Sequence, residues 1–471
     1  MTDVAPSEPI PPPASFWAAV REALGGSHRD FTQGPVGRAL LVLAVPMVLE
    51  MVMESVFAVC DVYFVGRLGA GAVATVGLTE SMLACVYAVA MGLSIGATAT
   101  VARRTGEKDR DGAGRAAAQS LWLGIAFSVA LGALGIALAP RLLALMGADP
   151  SVIAGGTTYA RIMLGGSGTV IILFLVNAIF RGAGDAAIAM RVLWFANAIN
   201  IVLGPCLIFG LGPFPRMGVA GAATATTIGR GAGALVAIWR LTRPDGRVAV
   251  RPHHLAPDPA LAARLLRLSA SGALQAFIGT ASWIGLVRII STFGSQALAG
   301  YTIGFRIIVF ALLPSWGLSN AAATMVGQAL GAARPERAVR AVRTAGLYNM
   351  VFLGGVGLAL VLVAPAVVAL FTHDPAVTGY AVTCLRVVAL GYPLYAWGMV
   401  LTAAFNGAGD TLTPTLLNLG VFWLFEIPLA WVLAQRFGPG GVFWALTIAF
   451  SMLALVSGLL FRRGRWKTRR V

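Results

Sequence analysis

Gly182-Ala183-Gly184-Asp185 recurs as Gly407-Ala408-Gly409-Asp410, 225 residues further along the chain. The same offset lays Gly92-Leu93-Ser94 on Gly317-Leu318-Ser319, Gly106 on Gly331, Arg115 on Arg340, Leu43 on Leu268, Leu49 on Leu274 and Phe180 on Phe405. A register that runs without a gap through most of each half predicts two copies of one unit. Around these landmarks the chain is apolar. Of its 471 residues, 58% are hydrophobic and 11% charged, whereas a soluble domain carries about 25% charged residues. Runs of about 20 apolar residues mark membrane-crossing helices. Twelve follow: 40–64, 73–102, 115–140, 152–180, 187–211, 218–240, 265–291, 297–330, 339–370, 376–405, 411–435 and 441–461. The expected fold class is an all-α polytopic membrane protein of two homologous six-helix lobes. Duplicated membrane halves are the usual build of secondary transporters, with the substrate site where the repeats meet.

The net charge of +16 is placed in alternate loops. Arg103, Arg104, Lys108, Arg110 and Arg115 form one group, and Arg240, Arg243, Arg247, Arg251, Arg264 and Arg267 a second. Arg334, Arg337, Arg340 and Arg343 form a third, and the tail adds Arg462, Arg463, Arg465, Lys467, Arg469 and Arg470. The loops between hold only Arg67, Arg141, Arg216 and Arg436. This positive-inside pattern accounts for the basicity without nucleic acid and predicts cytoplasmic termini and linker. The division is then a tail over 1–36, a first lobe over 37–241, a linker over 242–262, a second lobe over 263–462 and a basic tail over 463–471. Pro6 to Pro13 cannot form a helix, whereas Phe16 to Leu24 reads as a short amphipathic surface turn. No cleavable signal precedes the first span. The linker, broken by Pro244, Pro252, Pro257 and Pro259, reads as a tether.

Several chemistries are not expected. The chain has two lysines, Lys108 and Lys467, and neither follows a glycine-rich phosphate loop. Cys60, Cys85, Cys206 and Cys384 lie in or beside apolar spans and read as packing residues. His28, His253, His254 and His373 fall in loops, and the His253-His254 pair lacks partner ligands, so no metal site is assigned. No nucleophile–base spacing appears. The expectation is a protein that is not an enzyme and needs no cofactor, driven by an ion gradient.

The first span carries Glu50, Glu54 and Asp61. At four and seven residues apart they lie within about 40° of one line on a helix and spread over about 16 Å. Carboxylates inside a bilayer are costly and normally face a cavity or a cation path. Three together repel, so the stripe suits a proton or metal cation bound and released in turn. The competing account makes Glu50 a structural hydrogen-bond partner and leaves Asp61 wet at the outer boundary. Pro46, in the same span, removes a helix hydrogen bond and suits a gating bend or mere packing. Glu80 and Glu426 are the other intramembrane acids. Glu426 stands among aromatics in Phe422-Trp423-Leu424-Phe425-Glu426-Ile427-Pro428, an anchor for an organic cation. Arg288 or Arg306 could instead pair with it. Asn177, Asn197 and Asn200 offer a polar pocket, or interhelical glue. Tyr87 and Trp283 join Glu426, Asn177 and Asn197 as candidate substrate contacts, although such aromatics commonly pack cores. Met47, Met51 and Met53 also line the first span. In the two Gly-Ala-Gly-Asp turns, glycine permits positive φ, and Asp185 and Asp410 are expected to cap the next helix.

An ordered set of motifs completes the reading. It comprises Phe31-Thr32-Gln33-Gly34, Pro46, Asp61-Val62-Tyr63-Phe64-Val65-Gly66-Arg67-Leu68-Gly69, Phe180-Arg181-Gly182-Ala183-Gly184-Asp185, and Asn197-Ala198-Ile199-Asn200-Ile201. Gly218-Val219-Ala220-Gly221-Ala222-Ala223 and Val326-Gly327-Gln328-Ala329-Leu330-Gly331-Ala332 follow. Over residues 31–461 the chain resembles the multidrug and toxic compound extrusion (MATE) family. The resemblance implies a V-shaped pair of lobes that exchange cationic drugs for H⁺ or Na⁺. It also implies a cation site at Asp61 and Asn200, with Glu54 in the same cavity. Many bacterial members carry an Asp four residues after the matching Asn, where this chain has Gly204. Glu54 and Glu50 are the candidates to replace it.

The reading is a multidrug exporter of amphipathic organic cations by alternating access, coupled to H⁺ with Na⁺ as the alternative. It sits as a monomer in a bacterial inner membrane. A flippase for a lipid-linked precursor would need a basic cavity, and a non-transporting receptor would need no buried acid stripe.

Overall fold

A computed structural model of the protein describes residues 16–27 and 29–469. Pro6 to Pro13, His28 and Arg470 lie outside them. The described chain begins with α1 (Phe16–Gly25), the short surface helix expected there, which packs on the next helix. The first lobe follows as α2 (Val36–Gly66), α3 (Ala70–Gly106), α4 (Arg110–Leu145), α5 (Pro150–Gly165), α6 (Ser167–Ala183), α7 (Ala186–Phe209) and α8 (Val219–Leu241). The second comprises α9 (Pro259–Ser291), α10 (Ser295–Gly331), α11 (Pro335–Ala369), α12 (Pro375–Leu390), α13 (Tyr392–Gly407), α14 (Leu412–Asn418), α15 (Ile427–Phe437) and α16 (Pro439–Arg462).

Among the described residues, ten helices are long and apolar enough to cross a membrane. In that set, α5 and α6 join at Gly166 into one span, and α14 and α15 join through a π-helical stretch, Leu419–Glu426. An eleventh span is the pair α12 and α13, bent by 58°. The remaining helix, α8, is long enough at 23 residues, but its glycines, threonines, Arg230 and Arg240 dilute its apolarity. The twelve expected segments thus each fall on a helix or helix pair. The repeat mates α3 and α10 are both 37 residues long, about 56 Å. Each therefore projects beyond a hydrocarbon core of about 30 Å.

The lobes meet along α2, α3, α9 and α10, and they meet tightly at one end. A Cβ on Gly106 would fall on the Gln328 carbonyl, and one on its repeat mate Gly331 on the Arg103 carbonyl. Gln328 Nε2 donates to the Gly182 carbonyl at 2.9 Å, and Thr324 Oγ1 to the Arg181 carbonyl at 3.2 Å. At the other end a Cβ on Gly66, Gly71 or Gly77 would meet nothing within 4 Å. The lobes therefore close on the arginine-rich face and part towards the opposite one.

Two sequence expectations change here. The linker is docked, not a loose tether. Its 3₁₀ turn, Pro252–Leu255, lies on α4, where Gln119 Nε2 donates to the Ala256 carbonyl at 2.8 Å and Trp122 Nε1 to the Leu255 carbonyl at 3.1 Å. The histidine pair also has a third group beside it. Asp111 Oδ1 lies 2.9 Å from His253 Nε2 and 2.8 Å from His254 Nε2. Because His254 Nδ1 accepts the Arg251 N–H at 3.0 Å, the His254 ring proton belongs on Nε2 and points at Asp111. This makes the trio a hydrogen-bonded clasp, with one of its imidazole lone pairs already occupied. In the repeated turns, Gly184 and Gly409 do take positive φ, 86° and 83°. Asp185 holds the N-cap position of α7 without the cap hydrogen bond. Asp410 instead accepts from Thr413 at 2.8 Å and pairs with Arg469 at 3.3 Å.

Candidate functional site

The acid stripe of α2 is real, and two of its members are matched by arginines from other helices. Glu50 is buried and pairs with Arg181 of α6 at 2.6 Å, while Asn177 Nδ2 donates to the same carboxylate at 3.4 Å. One turn on, Glu54 pairs with Arg230 of α8 at 2.7 Å and accepts from Asn197 Nδ2 of α7 at 3.0 Å. Arg230 is itself buried, its guanidinium 5.3 Å from the Phe57 ring centroid and 5.8 Å from that of Phe174. The helix period explains the pattern. Glu50 and Glu54 stand four residues apart on one face of α2, so they meet α6 and α7 at successive heights. Burying such a charge is tolerable only with a partner, and each has one.

Asp61 differs. It lies further along α2, half-buried, with no hydrogen bond or ion pair among the described residues. Glu80 of α3 is exposed and likewise unpaired. The two carboxylates act on each other electrostatically, Arg230 acts on Asp61 and Arg306 of α10 acts on Glu80. Tyr87 of α3 lies within reach of Arg230, Glu54, Glu80 and Asp61 and packs edge-on to Phe174 at 6.0 Å. The spans of the first lobe thus bring in four carboxylates and two guanidiniums, with Arg306 of the second lobe acting on Glu80.

Asn200, three residues after Asn197 on the same face of α7, meets α8 one turn before Arg230. Its Nδ2 donates to Thr226 Oγ1 of α8 at 2.7 Å. A Cβ on Gly204 would find only Asn200 Oδ1 near it, at 4.0 Å, so the place where many family members carry a carboxylate is open. Pro46 lies buried inside a continuous α2, and Gly317 of α10 packs so closely beside it that a Cβ there would come within 2.6 Å of the Met47 carbonyl.

The structure does not gather the proposed substrate residues into one place. Asn177 and Asn197 serve the first-lobe carboxylates. Trp283 belongs to the second lobe, edge-on to Phe305 at 4.2 Å. Glu426 ends the π-helical stretch, 1% exposed, with Oε2 unpartnered among the described residues. Arg288 and Arg306 are exposed and make no ion pair with it, so the alternative pairing of Glu426 does not form. The hydroxyls of Tyr301 and Tyr392, in the same lobe, are also buried and unpartnered. Sequence reasoning missed Arg181 and Arg230 as counter-charges. The available signal was an arginine inside an otherwise membrane-length helix, which demands a partner.

Known proteins resemble both halves. The family model described as MatE matches residues 46–206 and 272–432, equal stretches in the two lobes. "Probable multidrug resistance protein NorM" of Thermotoga maritima is 26% identical over 93% of this chain and 94% of its own length. "FAD transporter" of Shewanella oneidensis is 24% identical over 91% of this chain and 95% of its own. A solved structure described as "Outward-facing conformation of a multidrug resistance MATE family transporter of the MOP superfamily" superposes with a TM-score of 0.87, at 26% identity, covering 93% of this chain and 97% of that one.

Proposed function

The chain belongs to the MatE family of membrane transporters, and from that premise we propose that it exports amphipathic organic cations in exchange for protons. Asp61 carries the coupling ion. What supports this role is that Asp61, alone in the α2 stripe, makes no ion pair among the described residues and feels Arg230 only at longer range. A half-buried carboxylate without a hydrogen-bonded counter-charge binds a mobile cation readily, and a bound proton or Na⁺ satisfies the same need. The Glu54–Arg230 and Glu50–Arg181 pairs hold α2 against α6, α7 and α8, and so position Asp61.

Four carboxylates against three guanidiniums, Arg306 of the second lobe included, favour a cationic substrate over an anionic dinucleotide or a pyrophosphate headgroup. Tyr87 and the Phe57 and Phe174 rings supply the apolar contacts. Pro46 lets α2 bend as the ion binds, which couples Asp61 to the opening of the arginine-rich face. The protein sits in a bacterial inner membrane with that face cytoplasmic, and the closed end described above makes this conformation outward-facing.

The test is efflux of a fluorescent lipophilic cation from proteoliposomes under an imposed pH or Na⁺ gradient. Flux driven by pH and lost in Asp61→Asn is expected. Flux driven by Na⁺ alone keeps the exporter and replaces the ion. Absence of flux from folded protein under either gradient removes the exporter reading in favour of a flippase or receptor.

A further inference from the structure

The chain end builds a second site on the arginine-rich face. After α16, Gly464 takes φ 73° and turns the chain into a short 3₁₀ helix, Arg465–Thr468. Trp466 anchors this turn. It is buried, stacks on Phe461 at 4.6 Å and donates Nε1–H to the Phe461 carbonyl at 3.0 Å. The fold-back encloses a cavity of about 550 Å³ between the tail, α14, the π-helical stretch and α16. That is the size range of small-molecule pockets.

The cavity has two kinds of wall. Its body is apolar, including Leu416, Val421, Phe425, Met452 and Val456. Its rim carries Arg463, Arg465 and Arg469 against a single acid, Asp410. Asp410 is already matched by Arg469 at 3.3 Å and by Thr413 at 2.8 Å. The side chains of Arg463 and Arg465 make no hydrogen bond or ion pair among the described residues. An apolar slot along two membrane helices, with two unmatched guanidiniums at the end where basic residues collect, complements a phosphate headgroup joined to an acyl chain.

We propose that this cavity binds one anionic phospholipid from the leaflet bordering the arginine-rich face, with phosphate on Arg463 and Arg465 and an acyl chain against Phe425 and Val456. The site touches the lobe closure. Arg469, whose side chain holds Asp410, accepts from Arg103 of the first lobe through its carbonyl at 2.7 Å. A lipid that fixes the tail therefore favours the closed arginine-rich face.

Native mass spectrometry of the purified protein with phosphatidylglycerol or phosphatidylcholine of identical chains tests the site. Two variants separate pocket from surface charge. Arg463→Gln with Arg465→Gln removes the cations. Gly420→Phe fills the slot, since Gly420 lines it and a Cβ there meets nothing within 4 Å. Preferential retention of one phosphatidylglycerol is expected. It should weaken roughly 25-fold in the double variant, at about fivefold per arginine, and comparably in Gly420→Phe, with melting temperatures unchanged. Equal retention of the two lipids overturns the proposal. So does retention indifferent to Gly420→Phe, which marks diffuse surface charge, or glycerol phosphate binding as tightly as the lipid, which marks a plain phosphate site.

Discussion

Arg230 of α8 and Glu54 of α2 stand 2.7 Å apart although 176 residues separate them in sequence. The contact ties the last helix of the first lobe to the first. The arginine is 2% exposed at its side chain and the glutamate 19%, so the pair is largely out of water. Removing one partner from such a pair leaves a buried charge uncompensated, at a cost of about 3–5 kcal/mol. Arg230→Leu is expected to lose stability on that scale, read as a lower melting temperature in detergent. Combining it with Glu54→Gln should restore most of the loss. A double variant no more stable than Arg230→Leu would mean that the arginine acts through packing on Phe57 and Phe174 instead.

The open space at Gly204 makes a second prediction. Its nearest neighbour, Asn200 Oδ1, lies 4.0 Å from where a Cβ would stand, and Asn200 is already oriented by Thr226. Gly204→Asp adds a carboxylate in unoccupied space beside a hard oxygen ligand, the donor chemistry that small cations prefer. Glycine inside a helix is also unfavourable by about 1 kcal/mol relative to Ala, which offsets part of the cost of a buried carboxylate, and a bound cation would offset more. The variant is expected to gain Na⁺-dependent thermal stabilisation that exceeds the wild-type response. Identical Na⁺ and K⁺ responses in wild type and variant would show that no cation site forms there.

These two positions mark what the sequence could and could not say. Hydropathy and the repeated glycine turns suffice for the spans and lobes, because each depends on local composition and a constant offset. Gly204 was legible as a departure from a family pattern. Arg230 was legible as a charge in need of a partner, but the partner was not, because it is set by a tertiary contact. The second lobe shows the converse. Arg288 and Arg306 lie in apolar stretches as Arg230 does, yet both are exposed and neither forms an ion pair among the described residues. The π-helical stretch before Glu426 was invisible for another reason. Its residues are as apolar as an α-helix requires, and only Pro428, which lacks the N–H that would reach Leu424, hints at irregular hydrogen bonding.

The lobe closure gives a third prediction. Gly106 and Gly331 occupy equivalent places in the two repeats, and each presses on backbone of the opposite lobe. A methyl group at Gly331 has no flexible side chain to displace, only backbone of Arg103, Gly106 and Glu107. Overpacking of this kind costs about 1–3 kcal/mol, and here the cost falls on the closed state alone. Gly331→Ala should therefore shift the protein towards opening of the arginine-rich face, by a factor of about 5 to 150. Spin labels on Arg110 and Arg340, one per lobe, would show a longer distance in the variant. An unchanged distance distribution would mean that the lobes accommodate the methyl by sliding.

Glu426 gives the fourth. The carboxylate is 1% exposed, and its Oε2 lacks a partner among the described residues while Tyr301 and Tyr392 hydroxyls are similarly unsatisfied. A buried acceptor left without a donor costs about 1–3 kcal/mol, more when charged. Glu426→Gln keeps the shape, removes the acid and supplies two N–H donors to which a tyrosine oxygen can serve as acceptor. The variant should melt higher than wild type. Substrate affinity separates the two roles of this residue. If Glu426 anchors the organic cation, as its aromatic surroundings suggested, binding of a lipophilic cation weakens about tenfold or more while stability rises. If it serves only the core of the second lobe, stability rises and binding stays. Its near-complete burial favours the second outcome, because an anchor must be reached by its ligand.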